Sequence, residues 1–434
     1  MKYFTIILIL LTTLAYSQNN SKLESYMDAQ TSINNFSGTV LITKNDSILF
    51  KKACGLADYE WKVSNTIDTK FSLASVSKQF TAVAILQLVE KGKISLEDKL
   101  LKYYPNFPDG EQITIKMMLT HNAGFQMDYD ELYLAKTSLD KDSVANYIMQ
   151  KPLLFKPGSK TAYSNIGYYL LARIIENVSN QSYATYLKLN VFDKAKMYNS
   201  GISNNDSIVS KSAKNYYKKD NVLIKNPYIN WNFNIGHDGV YSTVDDLYLW
   251  NKALFDSTIL LSEVSKKKMF TSYNDENFGF GLLINPFYNQ NHLLIAHDGG
   301  FFGAMTSFNR FTDDGIFITV LSNNQSPSYL IAYGLAAIIF DNPVELPYKH
   351  IQVKIDPIIY DEYIGTYENI TILKKNEKLY YLDYETELLP ESNVKFFRSD
   401  NNDKTIEFVK NKKGKVSEII ITKAGVQEIR KKAN

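Results

Sequence analysis

Three short stretches of the 434-residue sequence bring together side chains able to do nucleophilic chemistry. In FSLASVSKQFTAVAIL, Ser75 and Lys78 stand three apart at the entry to an apolar run, a spacing that puts both on one face of a helical turn. An ammonium beside the hydroxyl lowers the cost of forming an alkoxide, and a neutral amine could accept the hydroxyl proton. The N-terminal end of the helix adds favourable backbone dipoles. In PGSKTAYSNIGYYLLARI, Tyr163 and Asn165 precede a second apolar run. A tyrosine phenolate near a lysine can act as a general base, and an asparagine amide can orient both the lysine and a substrate carbonyl. In IAHDGGF, His297 and Asp298 come before Gly299 and Gly300, whose bare backbone a substrate can approach closely.

Taken singly these spacings are common. Ser-x-x-Lys recurs at Ser138/Lys141, Ser265/Lys268 and Ser392/Lys395, none followed by a comparably long apolar helix, and Tyr-x-Asn recurs at Tyr104, Tyr228 and Tyr367. The triplet His-Asp-Gly also occurs twice, the other copy starting at His237 in NIGHDGVYS. His297 ends the strand-like HLLIA, where a strand-edge N–H, together with the N–H of the nucleophile, can face a developing oxyanion. His237 precedes a loop that enters a helix. The working triplet is therefore assigned to His297, and His237 is read as a loop or pocket residue.

In chain order, Ser75-x-x-Lys78, Tyr163-x-Asn165 and His297-x-Gly299 resemble the three signatures of the penicillin-recognising serine hydrolases. The closest branch is the class C β-lactamase-like group, which also contains D-aminopeptidases, D,D-carboxypeptidases and esterases. MLTHNAGF, FKPGSKTAYSN, GVYSTVDDLYLW and HDGGFFGAMTSFNRF extend the resemblance over roughly residues 30–340. It implies a beta-lactamase/transpeptidase-like fold and an acyl-enzyme route. Ser75 would then be the nucleophile and Lys78 its activator. Tyr163 would exchange protons with the attacking and leaving groups, and Asn165 would position Lys78 and substrate. The N–H groups of Ser75 and Gly300 would form the oxyanion hole, and His297, Asp298, Gly299 and Gly300 would line the substrate. How the proton is shared between Lys78 and Tyr163 stays open.

Many relatives carry Lys-Thr-Gly at the third signature, where the lysine charge and threonine hydroxyl hold a substrate carboxylate. Here His297 and Asp298 stand in those places. A histidine is only partly charged near neutral pH, and a carboxylate at 298 facing the site would repel a substrate carboxylate. The expectation is weak or absent β-lactam hydrolysis, with an ester, or an amide lacking a nearby carboxylate, as substrate; Asp298 could also receive a substrate amine. Two alternatives are a penicillin-binding D,D-carboxypeptidase acting on peptidoglycan peptides and a non-catalytic binding protein on the same fold.

These residues need elements to hold them. FSGTVLITKNDSILFKKACG alternates apolar and polar residues around a turn at 44–47 and predicts a β-hairpin. Ser77 to Lys91 predicts an apolar helix stopped at Gly92, and NIGYYLLARIIENVS and STVDDLYLWNKAL predict two more, the last with a Ser/Thr-x-x-Asp cap. Strands return in FGFGLLI, HLLIAH, GAMTSFNRF and IFITVLSN. This pattern predicts an α+β domain whose antiparallel sheet is assembled from two distant regions and flanked by helices, with a helical subdomain. Domain limits are read as 1–17 signal peptide, 18–340 hydrolase domain, 341–357 proline-rich linker and 358–434 a small all-β, barrel-like C-terminal domain.

Bulk properties narrow the partners. With 48 basic against 46 acidic residues and no long single-sign run, nucleic acid is not an expected partner; a small-molecule or peptide substrate is. The five histidines show no metal-ligand spacing, so neither a metal nor another cofactor is expected. The single cysteine, Cys54, cannot form an intrachain disulfide and reads as a packing residue. MKYFTIILILLTTLAYSQNN places Lys2 before an apolar run too short to span a bilayer and ends in Ala15-Tyr16-Ser17. Cleavage after Ser17, release to the periplasm or medium, and no stable membrane insertion afterwards are expected. No pattern in the sequence sets an oligomeric state.

Overall fold

The hairpin at the start of the chain is the seed of the main sheet. Its strands β1 (Gly38–Lys44) and β2 (Ser47–Cys54) pair antiparallel, and β1 is buried from Gly38 to Thr43 because a second strand covers its other edge. That strand comes from almost three hundred residues away in sequence. The distant region supplies β3 (Leu283–Ile284), β4 (Leu294–Phe301), β5 (Ala304–Phe311) and β6 (Ile316–Ser322), and the six strands lie in the order β3-β4-β5-β6-β1-β2. All neighbours are antiparallel. In the computed structural model, residues 19–433 are described, apart from 46, 136–139, 220, 221, 287, 383–385 and 400; the segment 1–17 read as a signal peptide lies outside the described residues, as does Ser138.

A helix that is apolar on every side belongs in a core. The first helix over 19–32 is α1, and α2 (Lys78–Glu90) is such a core helix, buried continuously from Lys78 to Leu88. Its Phe80 packs on Trp250 at 4.2 Å and on Phe192 at 5.5 Å between ring centroids. Gly92, at φ +65°, adopts the left-handed conformation that ends it. Two further long helices are α3 (Asn165–Ser179) and α4 (Val244–Phe255), each with a side-chain cap at its start. Ser164 accepts from Gly167 N at 3.3 Å, and Thr243 accepts from Asp246 N at 3.1 Å with Asp245 and Asp246 in the positive first turn.

Two strand expectations change. FGFGLLI is extended only at Leu283–Ile284, because Gly281, at φ +68°, bends the chain against the start of α2; a Cβ there would stand 2.6 Å from Lys78 O. Strand β4 does not end at His297 but continues through Phe301.

Among the described residues the chain divides into two compact units, 36–329 and a second formed by 19–35 with 330–433. The last long helix, α5 (Ser328–Ile339), leads into the second. Within that unit, eight successive strands form a meander: β7 (Gly365–Tyr367), β8 (Ile370–Lys375), β9 (Lys378–Tyr381), β10 (Thr386–Pro390), β11 (Lys395–Arg398), β12 (Asn401–Lys410), β13 (Val416–Lys423) and β14 (Val426–Lys431). Glu368 N donates to Lys431 O at 3.0 Å and Ala433 N to Thr366 O at 2.7 Å, so the last strand returns to the first and the sheet closes. A barrel this small is filled by its own side chains; Ile372, Leu379, Leu388, Phe396, Phe408 and Ile419 occupy it. The proline-rich 341–357 is bonded to the barrel through Glu345 N to Gly425 O, in the turn between β13 and β14, and Val353 N to Pro390 O on β10, both 2.9 Å.

Candidate active site

Ser75 sits in a single 3₁₀ turn, Ala74–Ser77, that runs directly into α2. The residue before it, Ala74, is held at φ +47°, in a region non-glycine residues avoid, and such strain persists only where neighbours enforce it. Leu73 is tied on both sides: its N–H donates to Val240 O at 2.8 Å and its carbonyl accepts from Thr306 Oγ1 on β5 at 2.7 Å. Gly299 on β4 lies against the same carbonyl. A Cβ there would stand 2.5 Å from Leu73 O and 2.4 Å from Thr306 Oγ1, so only glycine lets the strand pass this close to the turn.

Lys78 is fully buried. Its Nζ donates to Ser75 Oγ at 3.0 Å, Asn165 Oδ1 at 2.6 Å and His237 O at 3.1 Å, which uses all three of its protons. Burial pulls its pKa down to about 8, against the opposing pull of the Asp238 and Asp128 carboxyls. The amide of Asn165 is fixed from behind: its Nδ2 donates to both oxygens of Asp128, at 2.9 and 3.0 Å, and to Tyr133 Oη at 3.2 Å. Tyr133 also donates to Asp128. This orients Oδ1 toward Lys78.

The Tyr163 ring lies 4.8 Å from Lys78 Nζ. Burial pushes its hydroxyl well above the usual tyrosine pKa, with an interaction with Ser75 pulling the other way, so the phenol stays protonated. His121 packs on it, ring centroids 4.4 Å apart, and its Nδ1 accepts from Ser164 N at 3.0 Å.

Both His-Asp-Gly triplets converge on Lys78. The first copy contributes the His237 carbonyl and the carboxyl of Asp238, which is 2 % exposed, interacts with Ser75 and is raised by burial to about 7. The His237 side chain is buried and reaches Tyr133 Oη at 3.2 Å. In the second copy, His297 Nδ1 donates to Asp298 O at 2.6 Å, and burial, helped by the Lys78 charge, lowers its pKa to about 3. His297 is therefore neutral rather than partly charged at neutral pH.

Asp298 does not join them. Side chains alternate along a strand, so it leaves the face that carries His297 and Gly299, and its oxygens accept from Ser307 Oγ at 2.6 Å and Tyr288 Oη at 2.8 Å. Burial raises it to about 6. Gly300 is exposed on the same strand, whose pairing with β3 stops at Ala296. From His297 onward the outer edge of β4 has no strand partner among the described residues, which leaves backbone N–H groups able to meet a substrate carbonyl.

The Beta-lactamase family model matches residues 23–338. The chain belongs to this family. Its members are serine hydrolases, and the arrangement at Ser75 is what that chemistry needs: a hydroxyl, a buried amine within hydrogen-bonding reach and backbone donors beside them. Among the relatives of this beta-lactamase-family hydrolase is penicillin-binding protein 4* of Bacillus subtilis, 30% identical over 402 residues, which are 83% of this chain and 88% of the relative. The octameric penicillin-binding protein homologue from Pyrococcus abyssi has the same fold, with a TM-score of 0.69 over 94% of this chain and 99% of that one at 24% identity. The D-amino acid amidase from Ochrobactrum anthropi, solved with L-phenylalanine amide, superposes with a TM-score of 0.64 over 73% of this chain and 97% of its own, at 18% identity.

Asp128, Tyr133, His121 and Asp238 were not legible as site residues from spacing. His121 and Asp238 do lie in the phrases MLTHNAGF and NIGHDGVYS, but Asp128 and Tyr133 sit in QMDYDELY, which has no pattern of its own. Among the described residues no group of histidine, cysteine, aspartate and glutamate could hold a metal ion, and no helix is long and apolar enough to cross a membrane.

Proposed function

We propose that this chain is an exported hydrolase of esters or amides that works through an acyl-enzyme on Ser75, with weak or no β-lactam turnover. The observation that carries the reading is the 3.0 Å hydrogen bond between Ser75 Oγ and a fully buried Lys78 whose pKa falls to about 8. Near neutral pH a fraction of such an amine is uncharged and able to take the Ser75 proton as Oγ attacks the carbonyl. Tyr163, kept as a phenol, gives a proton to the leaving group. The N–H groups of Ser75 and Gly300 face the oxyanion, and water then hydrolyses the acyl-enzyme. Substrate class follows from charge: a neutral His297 offers no fixed cation to a carboxylate, and the amidase among the structural relatives acts, by its name, on amino acid amides. The apolar run ending at Ala15-Tyr16-Ser17 supports export.

The test is p-nitrophenyl ester hydrolysis by the mature protein beside Ser75→Ala, with intact mass recorded during turnover. Loss of activity in the variant and an acyl adduct on the wild type are expected; absence of both with every acyl donor would favour a non-catalytic binding role. A second reading, a penicillin-binding D,D-carboxypeptidase, draws on the name of the Bacillus subtilis relative. It requires penicillin to leave a stable adduct on Ser75.

A further inference from the structure

The ionisable groups around Ser75 are unbalanced. Lys78 is the cation whose field acts on them, while His121, His237 and His297 are all kept neutral by burial and by that same charge. Two carboxyls, Asp128 and Asp238, face it. Asp128 is satisfied by Asn165 and Tyr133. Asp238 is satisfied only in part: its carboxyl interacts with the Ser75 hydroxyl and Oδ2 lies 3.8 Å from His237 Nε2, but Oδ1 is buried without a hydrogen-bond partner. The loop that carries it has no slack, because Gly239, at φ +86°, is so close to Asn234 O that a Cβ would stand 2.3 Å from it.

The second buried open valence on these triplets is His297 Nε2. Its Nδ1 donates to a carbonyl, so Nε2 presents a lone pair. His297 Nε2 accepts, and so does Asp238 Oδ1 when the carboxyl is ionised. Lys78 has no free proton for a ligand carboxylate, since it already gives its three to Ser75, Asn165 and His237. A ligand ammonium finds an acceptor that burial has left unmet, and an unmet buried carboxylate oxygen is costly until a donor reaches it.

We propose that Asp238 Oδ1 receives a primary ammonium on the acyl part of the substrate, beside the carbonyl attacked by Ser75, so that the preferred substrates are amino-acyl amides or esters with a free amino group. This rests on the acyl-enzyme reading above. The amine contact that the sequence left open for Asp298 thus falls to the acid of the other triplet.

The test compares alanine p-nitroanilide, both enantiomers, with N-acetylalanine p-nitroanilide, in the wild type, Asp238→Asn and Asp238→Ser. The wild type should favour a free amine by about tenfold or more in kcat/KM, as a charge-assisted contact gives, and the preference should collapse toward unity in both variants. No preference in a wild type that turns over, a preference that survives both substitutions, or an equal fall on both substrates overturns the proposal. Binding is read separately in Ser75→Ala: alaninamide should raise Tm and N-acetylalaninamide should not, and adding Asp238→Asn should erase the difference. Equal shifts from the two ligands overturn the amine subsite. If Ser75→Ala discriminates between them while the wild type turns over no acyl donor, the subsite stands and the hydrolase reading falls.

Discussion

Lys78 carries the pH dependence of the site. A lysine held near 8 by burial is protonated below that value and free to accept a proton above it. The kcat/KM for an uncharged ester should therefore rise with pH through an apparent pKa near 8, a value shared with Asp238, which lies near 7. Stopped assays across the range would show it, and a flat profile from about pH 6 to 9 would rule out Lys78 as the base. His297 carries a stability signature. Its folded pKa of about 3 lies below the 6.5 of the unfolded chain, so under 6.5 the unfolded state takes up a proton that the folded state refuses. The stability this side chain contributes is complete above 6.5 and is lost as pH falls toward 3. Urea unfolding should show the wild type losing ground to His297→Asn by up to about 1.4 kcal/mol per pH unit over that window. Parallel curves would mean that His297 takes up its proton in the fold as it does in the unfolded chain.

At the scale of elements, the nucleophile turn depends on how closely β4 and β5 press upon it. Thr306→Val keeps the shape but removes the hydroxyl that holds Leu73 O at 2.7 Å, so kcat/KM should fall roughly tenfold while the fold persists, corresponding to about 1–2 kcal/mol of lost positioning. Gly299→Ala should be worse, because its Cβ meets Leu73 O and Thr306 Oγ1 inside 3 Å; activity loss should accompany a drop of about 1–3 kcal/mol in unfolding free energy. Unchanged values for both would show that the strained Ala74 does not depend on these contacts. The elements themselves were largely legible: the hairpin, the apolar α2 with its glycine stop, and the capped α4 all form where their patterns place them. The glycine bend in FGFGLLI was not, since the reason for it is a carbonyl of α2 that is remote in sequence.

At the scale of the molecule, closure of the C-terminal barrel is what β14 supplies. Deleting 426–434 removes both the partner of β13 and the hydrogen bonds back to Thr366 and Glu368, leaving two open edges. Limited proteolysis should then cut within 365–425, and retained ester turnover would separate the barrel from the chemistry, whereas parallel loss would tie them together. The sequence by itself determined the family, the three signatures and most helices and strands, because local periodicity, caps and the order of short motifs are properties of neighbours in the chain. Only the tertiary structure decided that both His-Asp-Gly copies face Lys78, that Asp298 turns away while Asp238 turns in, and that Asp128 and Tyr133 stand behind Asn165. Strand parity and loop closure set which way a side chain points, and burial sets its charge; neither can be read from the residues on either side.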